Sequence, residues 1–203
     1  MKKSALIACL LGCLLVPAAN AEVVEGSQFW RAAVVGTLGL TLAVNPLGAD
    51  SATVETGYGE EVAAHRLAWR WQLQEHPLTT FLTVEVHGQV ALEYWDGQSA
   101  EQNRDRNNLL VLTPVFRLQP ASAWLPYLET SIGAALMSAS SFPATGHNFG
   151  QNYQFEDTLA LGWMLGREGR WDLALRYRHY SNNGMSRSNN GIDFNTLAVT
   201  YRY

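Results

Sequence analysis

WDLALRYRHYSNN (residues 171–183) and GIDFNTLAVTYRY (residues 191–203) close the chain, joined by a short polar loop. In a strand, successive side chains alternate between two faces. On the first run Leu173, Leu175, Tyr177, His179 and Ser181 share one face, opposite Ala174, Arg176, Arg178 and Tyr180. On the second, Asp193, Asn195, Leu197, Val199, Tyr201 and Tyr203 lie opposite Thr196, Ala198, Thr200 and Arg202. Each run therefore has an apolar face and an arginine-bearing face. The apolar face turns polar only toward the connecting loop, where it carries a His, a Ser and an Asp.

Those three residue types can form an ester-hydrolysing group. A hydroxyl attacks, an imidazole takes its proton, and a carboxylate fixes the imidazole's tautomer and stabilises its charged form. His179 and Ser181, two apart, project the same way, and Asp193 joins them if the runs pair as a hairpin. Ser and Asp are also ordinary residues at strand ends, so parity permits the site without requiring it.

Outward from the hairpin, the rest of the chain reads as the wall that holds it. Met1–Ala21 has Lys2 and Lys3, an apolar run from Ala5 to Ala18, and Ala19-Asn20-Ala21 as a small-residue cleavage site. This is the pattern of a secretory signal peptide, which leaves residues 22–203 as one domain. Both cysteines, Cys9 and Cys13, fall in that leader, so the mature domain has neither disulfides nor thiolate metal sites. The full chain has 14 basic and 18 acidic residues, a formal charge of −4. Both lysines leave with the leader, and an exported, acidic domain whose only cations are arginines argues against nucleic-acid binding.

Nowhere in the domain is an apolar run long enough for a membrane-spanning helix; alternation recurs instead. Candidate strands run over residues 29–44, 62–75, 79–95, 108–119, 125–138 and 153–166, and the terminal hairpin brings the total to eight. The clearest sets Leu82, Val84, Val86, Val90, Leu92 and Tyr94 against Thr83, Glu85, His87, Gln89 and Glu93. Long alternating strands are the signature of a transmembrane β-barrel, and a narrow lumen can be filled by paired charged side chains. The expected fold is all-β, an eight-stranded antiparallel transmembrane barrel. Trp30, Trp69, Trp71, Tyr94, Trp95, Trp124, Tyr127, Trp163 and Trp171 are expected to form its aromatic girdles.

Loop lengths are expected to alternate. Residues 46–61, 96–107, 139–152 and 183–191 read as long connections, and 76–78, 120–124 and 167–170 as short ones. Outer-membrane barrels have short periplasmic turns and longer extracellular loops, which places His179, Ser181 and Asp193 at the extracellular rim. The arginines take the lumen side, so this trio faces lipid. A polar group there is costly away from the interface, and its presence invites a functional explanation with a substrate drawn from the outer leaflet.

The run RYRHYSNNG, followed by NNGIDF and the alternating terminal strand, resembles the PagL-type lipid A 3-O-deacylases, eight-stranded outer-membrane barrels of Gram-negative bacteria. PYLETSIGAAL and FEDTLALGWMLG are similar to that family's mid-barrel segments. The resemblance implies a serine hydrolase that removes the 3-linked hydroxyacyl chain of lipid A. Ser181 would be its nucleophile and His179 its general base, with no cofactor and no metal. The family's acid is usually Glu; Asp193 at the matching position is one methylene shorter, which bears on the orientation of the imidazole.

Asn182, Gly184 and Asn189 match polar or glycine positions of the family's loop and are candidates for an oxyanion hole, or equally turn residues. Arg104, Arg106 and Arg187 are read as external-loop cations able to meet lipid A phosphates. The implied partners are lipopolysaccharide and outer-membrane lipids, with a homodimer left open. An outer-membrane phospholipase and a non-enzymatic structural or adhesive barrel are the alternatives.

Overall fold

The computed structural model describes residue 45 and residues 47–98, 104–122 and 124–203. Among these described residues ten strands follow in order: β1 (Ser51–Gly59), β2 (Val62–Thr79), β3 (Leu82–Gln98), β4 (Arg104–Pro120), β5 (Tyr127–Met137), β6 (Ser141–Phe142), β7 (His147–Asn148), β8 (Tyr153–Leu165), β9 (Trp171–Ser181) and β10 (Ile192–Arg202). Eight of them close a barrel in the order β1-β10-β9-β8-β5-β4-β3-β2, every neighbour antiparallel. β6 and β7 form a separate small hairpin in the β5–β8 connection.

The expected eight-stranded antiparallel barrel is thus present, with a different first strand. β1 lies inside the stretch read as the 46–61 loop, and residues 29–44, read as the first strand, fall outside the described residues. β1 meets β2 through the two-residue turn Glu60–Glu61, so this connection is tight where a long loop was expected. β2 likewise continues through His76, Pro77 and Leu78, and its turn into β3 is Thr80–Phe81. Arg104 and Arg106 belong to β4 rather than to a loop.

The alternation read along the strands sorts the side chains as expected. Leu159, Leu173, Leu175, Leu197 and Val199 are exposed on the outside, while Ala160, Ala174, Arg176, Arg178, Thr196 and Ala198 are buried inside. The lumen is packed. Arg66 bonds Glu93 and Glu156 at 2.9 and 2.8 Å, and Arg70 and Arg117 converge on Glu129 at 2.6 and 2.7 Å. Arg117 also reaches Asp172 at 3.0 Å, Arg176 reaches Glu55 at 2.7 Å, and Arg178 joins Glu55 to Glu156. Five arginines thus meet five carboxylates from around the wall. Burying such charges is tolerable only because each has partners of opposite sign.

At the end of the barrel nearer the β9–β10 loop, an aromatic cluster takes over from the ion pairs. Trp95 lies 5.0 Å from the rings of both Tyr180 and Phe194, with Phe142 and Phe149 packed beside it. Trp95 and Tyr127 therefore fill the interior instead of joining the expected girdles: Trp95 is in this plug, and the Tyr127 ring lies 3.8 Å from the Arg117 guanidinium carbon. On the outside, Trp124 and Trp171 are exposed.

Candidate active site

The site lies on the outer face of β9 and β10, where the ladder sets Asp193 directly opposite His179. Their alternating inward neighbours, Arg178, Tyr180, Ile192 and Phe194, are anchored in the lumen network and the aromatic plug. The wall under the site is therefore fixed from within, while the site itself stays open: the His179 and Asp193 side chains are 36% and 44% exposed. His179 Nδ1 is 2.6 Å from Asp193 Oδ1. A carboxylate only accepts hydrogen bonds, so Nδ1 carries the proton and donates, and Nε2 presents its lone pair. The shorter acid reaches the imidazole because the two residues are paired across the ladder.

Ser181, two residues beyond His179 on β9, shares its outer face and is half-buried. β8 contributes a second carboxylate to the same neighbourhood, since Asp157 is the register partner of His179 on the side opposite Asp193. Gly191 abuts the ring: a Cβ there would come within 2.8 Å of His179 Cε1. The imidazole occupies space that only a glycine leaves free.

The β9–β10 loop is organised by Asn182, which is fully buried. Its Nδ2 donates to the carbonyls of Phe149 and Ser188 at 2.7 and 2.8 Å, and its Oδ1 accepts the Gly184 N–H at 2.9 Å. The Asn182 N–H in turn donates to Asn189 Oδ1 at 2.8 Å. Gly184, at φ +77°, supplies the left-handed backbone that this turn requires. Of the three loop candidates, Asn182 and the Gly184 N–H are committed to holding the loop. Asn189 is fixed through its oxygen, so its Nδ2 is oriented away from that bond on an exposed residue.

Two further contributors come from the β1–β2 turn. Glu60 Oε1 accepts the Asp193 N–H at 3.0 Å, and Glu60 Oε2 lies 2.9 Å from His147 Nε2. The other nitrogen of His147 contacts Thr145 Oγ1 at 2.8 Å, and its ring stacks on Phe149. Beside Glu60, Gly59 lets β1 close on β10: a Cβ at Gly59 would stand 1.7 Å from the Asp193 carbonyl oxygen. Neither Glu60 nor Gly59 stood out in the sequence, because their stretch read as loop. The signal that was there is GYGEEV, a glycine followed by two polar residues and a return to an apolar alternation.

The family model for "Lipid A 3-O-deacylase (PagL)" matches residues 63–202. The chain belongs to the PagL family. It is 36% identical over 90 residues to the lipid A deacylase PagL of Bordetella bronchiseptica, a match spanning 44% of this chain and 47% of that relative, about half its length. To the lipid A deacylase PagL of Pseudomonas aeruginosa it is 25% identical over 168 residues, 81% of this chain and 92% of that one. A crystal structure described as the outer membrane enzyme PagL superposes with a TM-score of 0.67 at 22% identity. That superposition covers 75% of this chain and 99% of the solved PagL chain and shows the shared barrel.

Proposed function

We propose that the protein is an outer-membrane lipid A 3-O-deacylase, a serine ester hydrolase whose site opens toward the external leaflet. The observation that carries this reading is the 2.6 Å His179–Asp193 bond on the outer face of the barrel, two residues from an outward-facing serine. Family membership supplies the substrate class. Below the site the exposed wall is apolar, with Leu175, Leu197, Leu159 and Ile132 forming a surface suited to an acyl chain that stays in the membrane.

His179 Nε2 takes the proton of Ser181 Oγ as that oxygen bonds to the ester carbonyl carbon at position 3 of the sugar. The carbonyl oxygen becomes an oxyanion, for which the Asn189 Nδ2–H group, not used in holding the loop, is the proposed donor. Asp193 accepts from Nδ1–H throughout and stabilises the imidazolium. The intermediate collapses by breaking the bond to the sugar oxygen, which leaves as a hydroxyl with the proton from His179. Water then attacks the acyl-serine with His179 again as base, releasing the 3-hydroxy fatty acid and restoring Ser181. Every group in this scheme belongs to one chain. Arg106 and Arg187, both exposed at the rim, are available to lipid A phosphates.

Mass spectrometry of lipid A from Gram-negative cells expressing the intact protein or Ser181→Ala tests the proposal, with folding checked by heat-modifiable gel mobility. Loss of one 3-hydroxyacyl chain with the intact protein alone is the expected result. Unchanged lipid A with both folded forms would overturn it, and loss of phospholipid acyl chains instead would redirect the reading to a phospholipase.

A further inference from the structure

The barrel is complete from Asp50 onward. All eight strand positions are filled within Ser51–Arg202, and the first ladder bond upstream of β1 is the Asp50 N–H to the Arg70 carbonyl at 2.8 Å. The residue before it makes no ladder bond. Ala49 N–H donates to Asn45 Oδ1 at 2.9 Å and its carbonyl accepts from Asn45 Nδ2 at 2.8 Å, so both of its backbone groups are satisfied by the Asn45 side chain. Gly48, at φ +60°, donates its N–H to the Asn45 carbonyl at 3.2 Å. The closed order of these strands leaves no gap beside β1, and the apolar segment 32–44, whose alternation suggested a first strand, lies outside the described residues.

Its sequence fits another role. Arg31 supplies a positive charge, Ala32–Val44 is uncharged and rich in Ala, Val and Leu, Pro46 ends the run, and Gly48-Ala49 are small. The run falls within the roughly 7–15 residues of a signal-peptide core and is shorter than the roughly 20 residues of a spanning helix. Only Leu47 departs from the ideal, being larger than the small residue usual three positions before a cut.

We propose that Ala49–Asp50 is the bond cut by a membrane leader peptidase during export, so that the mature enzyme begins at Asp50. Water adds across the peptide bond, the hydroxyl to the Ala49 carbonyl carbon and the proton to the Asp50 nitrogen. Ala49 is buried once the chain has folded, so the cut precedes folding. It also removes the leader-like Met1–Ala21 segment, whether or not that segment is processed on its own. The proposal is independent of the reaction the barrel catalyses.

The test is intact-mass and N-terminal analysis of the full chain, expressed in a Gram-negative host and recovered from the outer membrane. The expected mature terminus is Asp50, and Leu47→Ala is expected to give the same terminus. Ala49→Arg, which places a long charged side chain where a small one is required, is expected to yield no protein beginning at Asp50. A folded wild-type barrel beginning at Glu22, or retaining residues 22–49, would overturn the proposal, as would an Ala49→Arg protein still starting at Asp50. If Ala49→Arg is degraded, the wild-type terminus decides alone.

Discussion

Replacing Glu60 with Ala separates a role in positioning from a role in folding. Glu60 touches neither His179 nor Ser181 in the hydrogen-bond network described above; it holds the backbone of Asp193 through the 3.0 Å bond to its N–H. Glu60 and Glu61 sit at φ +49° and +67°, a left-handed pair that a two-residue hairpin turn normally assigns to Asn-Gly. Non-glycine residues in that region cost of order 1 kcal/mol or more each. The bond to Asp193 and the contact with His147 offset part of that cost. Removing the carboxylate exposes the Asp193 N–H to water, which reaches this rim, so the stability loss should stay within about 1–3 kcal/mol.

The catalytic loss should be larger than that suggests. The Asp193–His179 contact is already 2.6 Å, and a displacement of about 1 Å in a catalytic group can cost about 10²-fold in rate. The expected result for Glu60→Ala is kcat lowered about 10- to 100-fold with KM within about twofold. Glu60→Gln keeps an oxygen for the Asp193 N–H and should recover most of the rate. Detergent-solubilised enzyme assayed on purified lipopolysaccharide, with urea unfolding run in parallel, measures both quantities. Wild-type kcat in Glu60→Ala, or a rate loss that merely tracks the fraction unfolded, would refute the reasoning.

Asp193→Asn should fold normally and lower kcat about 10³- to 10⁴-fold, because the amide no longer enforces the Nδ1–H tautomer or stabilises the imidazolium; the same assay with a gel-mobility control reads it. Gly59→Val should abolish activity and weaken the β1–β10 seam, since its Cβ would fall on the Asp193 carbonyl, and a lowered urea midpoint would accompany the loss. Glu129→Leu removes the shared partner of Arg70 and Arg117 and an anion 3.5 Å from Arg176, leaving three buried guanidinium groups short of compensation. A loss of at least about 3–5 kcal/mol is expected, seen as failure to reach the heat-modifiable folded form.

The sequence made β9 and β10 legible because each alternates strongly between aliphatic and arginine-bearing faces, and parity alone then put His179, Ser181 and Asp193 on one surface. β1 was obscured. Ser51–Gly59 alternates Ser, Thr, Glu and Gly against Ala, Val, Thr and Tyr, so it lacks the run of large apolar residues that advertised other strands, and residues 29–44 offered a stronger pattern nearby. Trp95 and Tyr127 read as girdle residues because an aromatic near a strand end fits either surface until the register is known. Glu60 and His147 were out of reach for another reason: they are 87 positions apart, and their contact exists only once the β5–β8 connection folds over the β1–β2 turn. The pairing of Asp193 with His179 also resolves the missing methylene, which a list of residue types could not do.

The packed lumen has a consequence for the cell as well as for the fold. A wider porin barrel keeps a continuous water path for its transport role, whereas here guanidinium–carboxylate pairs and a Trp95-centred plug occupy the interior. Because the chemistry proposed for this protein happens on the outside of the wall, nothing has to pass through it. Such a barrel can remodel the surface lipids of a living envelope while adding no path of its own for solutes or antibiotics, and in a planar bilayer it should be electrically silent.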